Sequence, residues 1–123
     1  MEYKKNLPIY LQIVDQYVTE IVNGSLKPGD RLGSIREVSL EKNVNPNTIQ
    51  RAFRTMEQRG MIETRRGIGS FVIEDENEIK KIKSERLDQE LDRFVERMKE
   101  LGFSREDLVG LLVKGGENAT GIK

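Results

Sequence analysis

Five polar side chains, Asn47, Thr48, Gln50, Arg51 and Arg54, recur at spacings that gather them along one side of a helix opening at Pro46. Their chemistry is recognition rather than bond making. Amides and hydroxyls exchange hydrogen bonds with base edges, and guanidinium groups pair with guanine or with phosphate. Ile49, Ala52, Phe53 and Met56 fall between them at helical spacing and form an apolar underside. Asn45 suits the cap and Pro46 the first turn, where a missing N–H costs nothing. The element is expected to dock by one face and to read DNA with the other.

Other chemistries are excluded by composition. The 123 residues include no cysteine and no histidine, which removes disulfides, thiolate or imidazole metal sites and histidine-dependent triads from a single chain. Scattered carboxylates, lysines and tyrosines form no catalytic motif, so no catalytic residue, metal site or cofactor is expected and the chain does not read as an enzyme. The acidic run Glu74 to Glu78 reads as a solvated connector and not as a metal site, because nothing fixes ligand geometry there. No apolar stretch approaches the roughly 20 residues of a membrane span, and the N-terminus lacks an apolar signal core, which leads one to expect a cytoplasmic protein. Net charge is zero but unevenly spread: residues 1–73 hold 11 Lys+Arg against 8 Asp+Glu, and residues 74–123 hold 10 against 13. The basic part is the one expected to meet DNA.

The elements that must position the reading helix follow from pattern and punctuation. A first helix is predicted from Pro8 to Asn23, and Leu26 to Leu32 carries a Pro-Gly turn and lends at most one short strand. Ser34, with Glu37 three residues on, is expected to cap a short second helix through Ile35, Val38 and Leu40. That helix and the one opening at Pro46, joined by a tight turn, make a helix-turn-helix. Residues 61–73 read as two short strands around a glycine-rich tip, a β-wing carrying Arg65 and Arg66. The fold class is therefore mainly α with a small β wing: a winged domain over 1–73, a helical region over 74–114 and a disordered tail over 115–123. In the helical region Leu87, Leu91, Phe94, Met98 and Leu101 alternate at four and three, a seam of coiled-coil type. Ser104 with Asp107 is expected to cap a last short helix.

With these residues in hand the chain resembles the GntR family of bacterial transcription regulators. The resemblance rests on Pro8-Ile9-Tyr10 with Gln12-Ile13, Leu26 to Leu32, Ser34-Ile35-Arg36-Glu37, Val44 to Thr48 and Arg65 to Val72, in the family's order. Gly33 departs from it, since the family usually has proline before the serine. Only 50 residues follow the wing, which resembles the small YtrA-like branch, whose helical appendage mediates dimerisation and whose members are often encoded beside transporter operons. The resemblance implies phosphate contacts from Ser34 and Arg36, major-groove contacts from Asn45, Asn47, Thr48 and Gln50, and wing-tip contacts from Arg66 and Gly67. It further implies a homodimer on double-stranded operator DNA with inverted-repeat symmetry, most often acting as a repressor. A small-molecule effector, where one exists, would act by changing the distance between the two reading helices, with Glu74 to Glu78 as the hinge.

Blander readings compete for the same residues. Asn45 and Pro46 serve equally as helix punctuation, Gln50, Arg51 and Arg54 as a solvated face, Arg36 and Glu37 as a surface turn, and Gly67 as a hairpin residue. The seam can pack on the chain's own winged domain or on a second copy. The second use is favoured, because a winged domain of this size already spends its apolar faces. At the level of function the rival is a winged-helix protein-interaction module without sequence-specific DNA binding.

Overall fold

Helices and strands begin and end at the capping and turn residues that the chain supplies. In the computed structural model, which describes the backbone of residues 6–122 and the side chains of residues 6–115, the order is α1 Ile9–Val22, α2 Ile35–Lys42, α3 Pro46–Gln58, β1 Ile62–Arg65, β2 Gly69–Val72, α4 Glu76–Glu100 and α5 Arg105–Ile122. The protein is mostly helical with one two-stranded antiparallel sheet. α2 starts with a complete capping box: the Ser34 hydroxyl accepts from the Glu37 amide at 3.0 Å and the Glu37 carboxylate accepts from the Ser34 amide at 3.2 Å. It ends at Asn43, whose φ of 54° is left-handed, a conformation asparagine tolerates better than most residues. α3 then opens on Asn45, whose side chain accepts from the Asn47 amide at 2.8 Å. Such a cap stabilises a helix by about 1 kcal/mol.

The core lies between α1 and α3, with α2, the sheet and the start of α4 around it. Ile13, Val14 and Ile21 from α1 meet Ile49, Ala52 and Met56 from α3, and Val38, Met61, Ile62 and Val72 close the sides. Tyr17 and Phe53 pack edge to face with ring centroids 6.1 Å apart. Burial, and then the charges of Glu20 and Glu41, push the Tyr17 hydroxyl up to about 12, so this phenol is a neutral core element. Leu40, grouped by pattern with the second helix's apolar residues, is instead 75% exposed. An eight-residue helix has room for one inward stripe, and Val38 occupies it.

The hairpin pairs Ile62 with Val72 and Arg65 with Gly69. A third segment extends it: Arg31 bridges Phe71, the Leu32 amide donates to the Ser70 carbonyl at 2.9 Å and the Val72 amide to the Asp30 carbonyl at 2.8 Å. A two-stranded hairpin alone is marginal in water, and this added edge ties the wing to the body.

Two compact units divide the chain, Met1–Arg86 and Leu87–Lys123. The first runs past residue 73, the boundary expected from composition, because Ile79 and Ile82 of α4 belong to the winged core. Asp75 caps α4 by accepting from the Asn77 amide at 2.8 Å, and the Arg86 guanidinium reaches Asp15 of α1 at 2.7 Å and the Thr19 hydroxyl at 3.4 Å. The acidic stretch 74–78, expected as a connector, lies inside the first unit as a strand exit and a capped helix start, with the buried Val72 before it and Ile79 after it. In the second unit Ser104 and Asp107 form another reciprocal cap, at 2.9 and 3.1 Å. α5 continues to Ile122, across most of the glycine-rich segment expected as a tail. Lys123 lies outside the described residues.

Candidate nucleic-acid interface

α3 divides its side chains as its sequence pattern requires. Ile49, Ala52, Phe53 and Met56 are buried, whereas Asn47, Gln50, Arg51 and Arg54 are exposed and Thr48 is half-buried. Asn47, Thr48, Gln50 and Arg54 make no side-chain hydrogen bond or ion pair among the described residues. Unsatisfied donors and acceptors on an exposed first turn are available to an incoming polyanion and to base edges.

The polar residues of α3 fall into two neighbouring clusters. Gln50 and Arg54 line a groove of about 620 Å³ with Arg31, Ser34, Arg65, Arg66 and Gly67, so this groove joins the reading helix, the first turn of α2 and the wing. Asn47, Thr48 and Arg51 lie on the other side, in a shallower depression with Pro8, Ile9 and Tyr10 at the start of α1. The Arg51 guanidinium sits 4.0 Å from the Tyr10 ring centre, a cation–π contact that holds a long side chain in place.

The two wing arginines have different surroundings. Arg65 lies over the Phe71 ring at 4.7 Å and reaches Glu74 at 3.7 Å, so part of its charge is engaged within the chain. Arg66 is exposed at the tip and has no such partner among the described residues. The tip is a tight turn in which the Ile68 amide donates to the Arg65 carbonyl at 2.9 Å. Gly67 in that turn has φ +78°, which explains the glycine without DNA and also leaves the backbone bare at the tip.

Ser34 and Asn45 spend their acceptor oxygens on capping, which leaves the Ser34 hydroxyl proton and the Asn45 amide protons as their donors. Arg36 is exposed on the first turn of α2 and, like Asn45, does not line the groove. Two residues at this surface, Arg31 and Tyr10, lie in the motifs that carry the family resemblance, yet those motifs assign them no part in the interface. Arg31 follows a turn and reaches the groove through the added sheet edge, and Tyr10 reads as an ordinary helix residue; their partners are 37 and 41 positions away in sequence.

Among the described residues no group of acidic side chains is placed to hold a metal ion, and no helix is long and apolar enough to cross a membrane. The seam residues Leu87, Leu91, Phe94 and Leu101 are 40–59% exposed and Met98 is half-buried. Leu108 of α5 is buried.

Comparison with known proteins converges on one family. The model of bacterial regulatory proteins of the gntR family matches residues 9–72. The chain is 43% identical over 108 residues to the HTH-type transcriptional regulator YhcF of Bacillus subtilis, covering 88% of this chain and 89% of that protein. It is 40% identical over 72 residues to the HTH-type transcriptional repressor YtrA of the same organism, covering 58% and 55% of the two chains. A solved GntR family transcriptional regulator from Listeria monocytogenes superposes with a TM-score of 0.84 at 37% identity, over 91% of this chain and 98% of that one. With its reading helix, capped second helix and wing all inside the matched span, the chain belongs to the GntR family of bacterial transcription regulators, DNA-binding winged helix-turn-helix proteins rather than enzymes.

Proposed function

We propose that the protein is a homodimeric, sequence-specific transcription regulator of the cytoplasm, acting as a repressor by occupying an inverted-repeat operator. The observation that carries this reading is that the side chains of Asn47, Thr48 and Gln50 on α3, and of Arg66 on the wing, make no hydrogen bond or ion pair among the described residues, above a buried apolar underside. Each α3 enters a major groove with Asn47, Thr48 and Gln50 at base edges. Arg51, Arg54, Arg36 and the Ser34 hydroxyl meet phosphates, and Arg66 lies along the neighbouring backbone or minor groove. The second unit supplies the partner contact through Leu87, Leu91, Phe94, Met98 and Leu101, which are too exposed and too closely grouped for a solvated helix. The likeness to the repressor YtrA supports the sign of regulation, and the target we propose is a neighbouring transporter operon, as the resemblance to the small YtrA-like branch implies. A small-molecule effector is compatible with this architecture.

The rival reading, a winged-helix protein-interaction module, is separated by salt. Duplexes selected by the protein from a randomised pool should share an inverted repeat, and affinity for them should fall steeply with salt, by about 0.9 in log–log slope per phosphate contact. Selection that returns no shared sequence, with weak salt-insensitive binding, would sink the regulator reading and leave the interaction module.

A further inference from the structure

Arg31 connects the wing to the helices. Its backbone forms the bridge to Phe71, and its side chain runs towards the wing tip, where Nε donates to the Ile68 carbonyl at 3.3 Å. On its other side Nη1 lies 3.8 Å from Glu37 Oε1, the oxygen that already accepts from the Ser34 amide in the α2 capping box. One guanidinium therefore spans the tip of the wing and the first turn of α2. Among the described residues no other side chain joins loop residues 66–68 to a helix by a hydrogen bond or ion pair.

Gly69 makes room for this arrangement. A Cβ there would stand 3.0 Å from Arg31 Nε and 3.6 Å from its Cζ, and the residue's φ of +134° favours glycine independently. Stability is a weak reason for the bridge. Both side chains of the Arg31–Glu37 pair are about half exposed or more, at 46% and 63%, and such exposed pairs contribute little to folding. What the bridge does limit is the freedom of the tip, and ordering a mobile loop on binding costs affinity.

We infer that Arg31 is a positioning residue for DNA readout by the wing: it holds the tip in register with α2 and α3, so that Arg66 meets the DNA already ordered. The inference rests on the DNA-binding reading above. Arg31 acts through Arg66, and its effect on binding depends on the fork of a guanidinium and not on its charge alone, since a lysine ammonium cannot reproduce that fork.

The test uses the full chain, a duplex selected from a randomised pool, and the variants Arg31→Gln, Arg31→Lys and Arg66→Ala with their double combinations. Arg31→Gln and Arg31→Lys should each weaken binding about tenfold with the melting temperature nearly unchanged, and in the Arg66→Ala background the same changes should cost about twofold or less. In the free protein, Arg31→Gln should speed hydrogen exchange at the Ile68 amide. Full rescue by Arg31→Lys would make Arg31 a direct phosphate contact, and losses that add to that of Arg66→Ala would make it independent of the tip; either overturns the inference. If the wild-type chain selects no duplex, the function reading fails, and the exchange rate at Ile68 alone then decides whether Arg31 orders the tip, an unchanged rate overturning it.

Discussion

The Arg51 guanidinium of α3 rests 4.0 Å from the ring centre of Tyr10 on α1, so the second turn of α3 and the first turn of α1 share one charged group. An arginine held this way loses less entropy when it meets a phosphate than one free on a solvated face. Arg51→Ala should weaken binding to all duplexes alike and reduce the salt slope by about one. Tyr10→Leu should weaken it about two- to fivefold, the scale of one exposed cation–π contact, with the slope kept. Fluorescence anisotropy across a salt series reads both, and a Tyr10→Leu protein with wild-type affinity would remove α1 from the interface.

Asn47 and Arg36 separate reading from anchoring. Asn47→Ala should cost on the order of 1 to 3 kcal/mol on the selected duplex and much less on random DNA. Arg36→Ala should weaken both alike and flatten the salt slope by about one unit. Equal losses on the two DNAs for Asn47→Ala would move that residue to the backbone contacts.

The seam prediction concerns the second unit. Leu91, 48% exposed in the single chain, becomes buried if two copies pair along the seam, and a carboxylate placed there would be desolvated without a partner. Leu91→Glu should sediment as a monomer with wild-type melting of the winged unit, and operator affinity should collapse because the half-sites are no longer engaged by linked modules. A variant that remains dimeric and binds normally would place the interface elsewhere.

Acid should loosen α2. The amide of Ser34 and then its hydroxyl hold the Glu37 carboxyl below the usual carboxylate range, against an opposing desolvation, with the charge of Arg31 the least of the causes. A pKa lowered by folding contributes stability that is complete above the unfolded value and is lost as pH falls through the folded one. The Ser34 amide should therefore exchange faster in wild type as pH drops through and below the ordinary carboxylate range, once intrinsic exchange is corrected for. Glu37→Gln should show no such dependence, and parallel profiles for the two proteins would refute the linkage.

Gly33 has φ +89°, outside the region proline can adopt. Its missing Cβ would meet Val38 at 3.5 Å and Glu37 at 3.9 Å, ordinary contacts, so the constraint lies in the backbone. Gly33→Pro, which restores the residue usual in the family, should lower stability here by roughly 1 to 3 kcal/mol. Thermal melting checks this, and a raised midpoint would show that the segment reaches a proline-compatible conformation without strain.

The local order of residues was enough to determine the helices of the winged unit, their caps and the wing, though not the extent of α5. Caps act over two or three positions, as in Ser34 with Glu37, Asn45 with Asn47 and Ser104 with Asp107, and the apolar period of α3 separates Ile49 and Phe53 from Asn47 and Gln50 without any distant contact. The tertiary structure decided what depends on distant partners. Arg65 and Arg66 are neighbours of one type, and only the approach of Phe71 and Glu74 engages the first and leaves the second at the tip. Ile79 and Ile82 lie out of phase with the seam in sequence, and only the folded domain gives them a place in the winged core. Arg31 and Tyr10 belong to recognisable motifs, but the motifs do not show what the two side chains contact, because a guanidinium acquires its role from whichever carbonyl, carboxylate or ring the fold brings within a few ångströms of it.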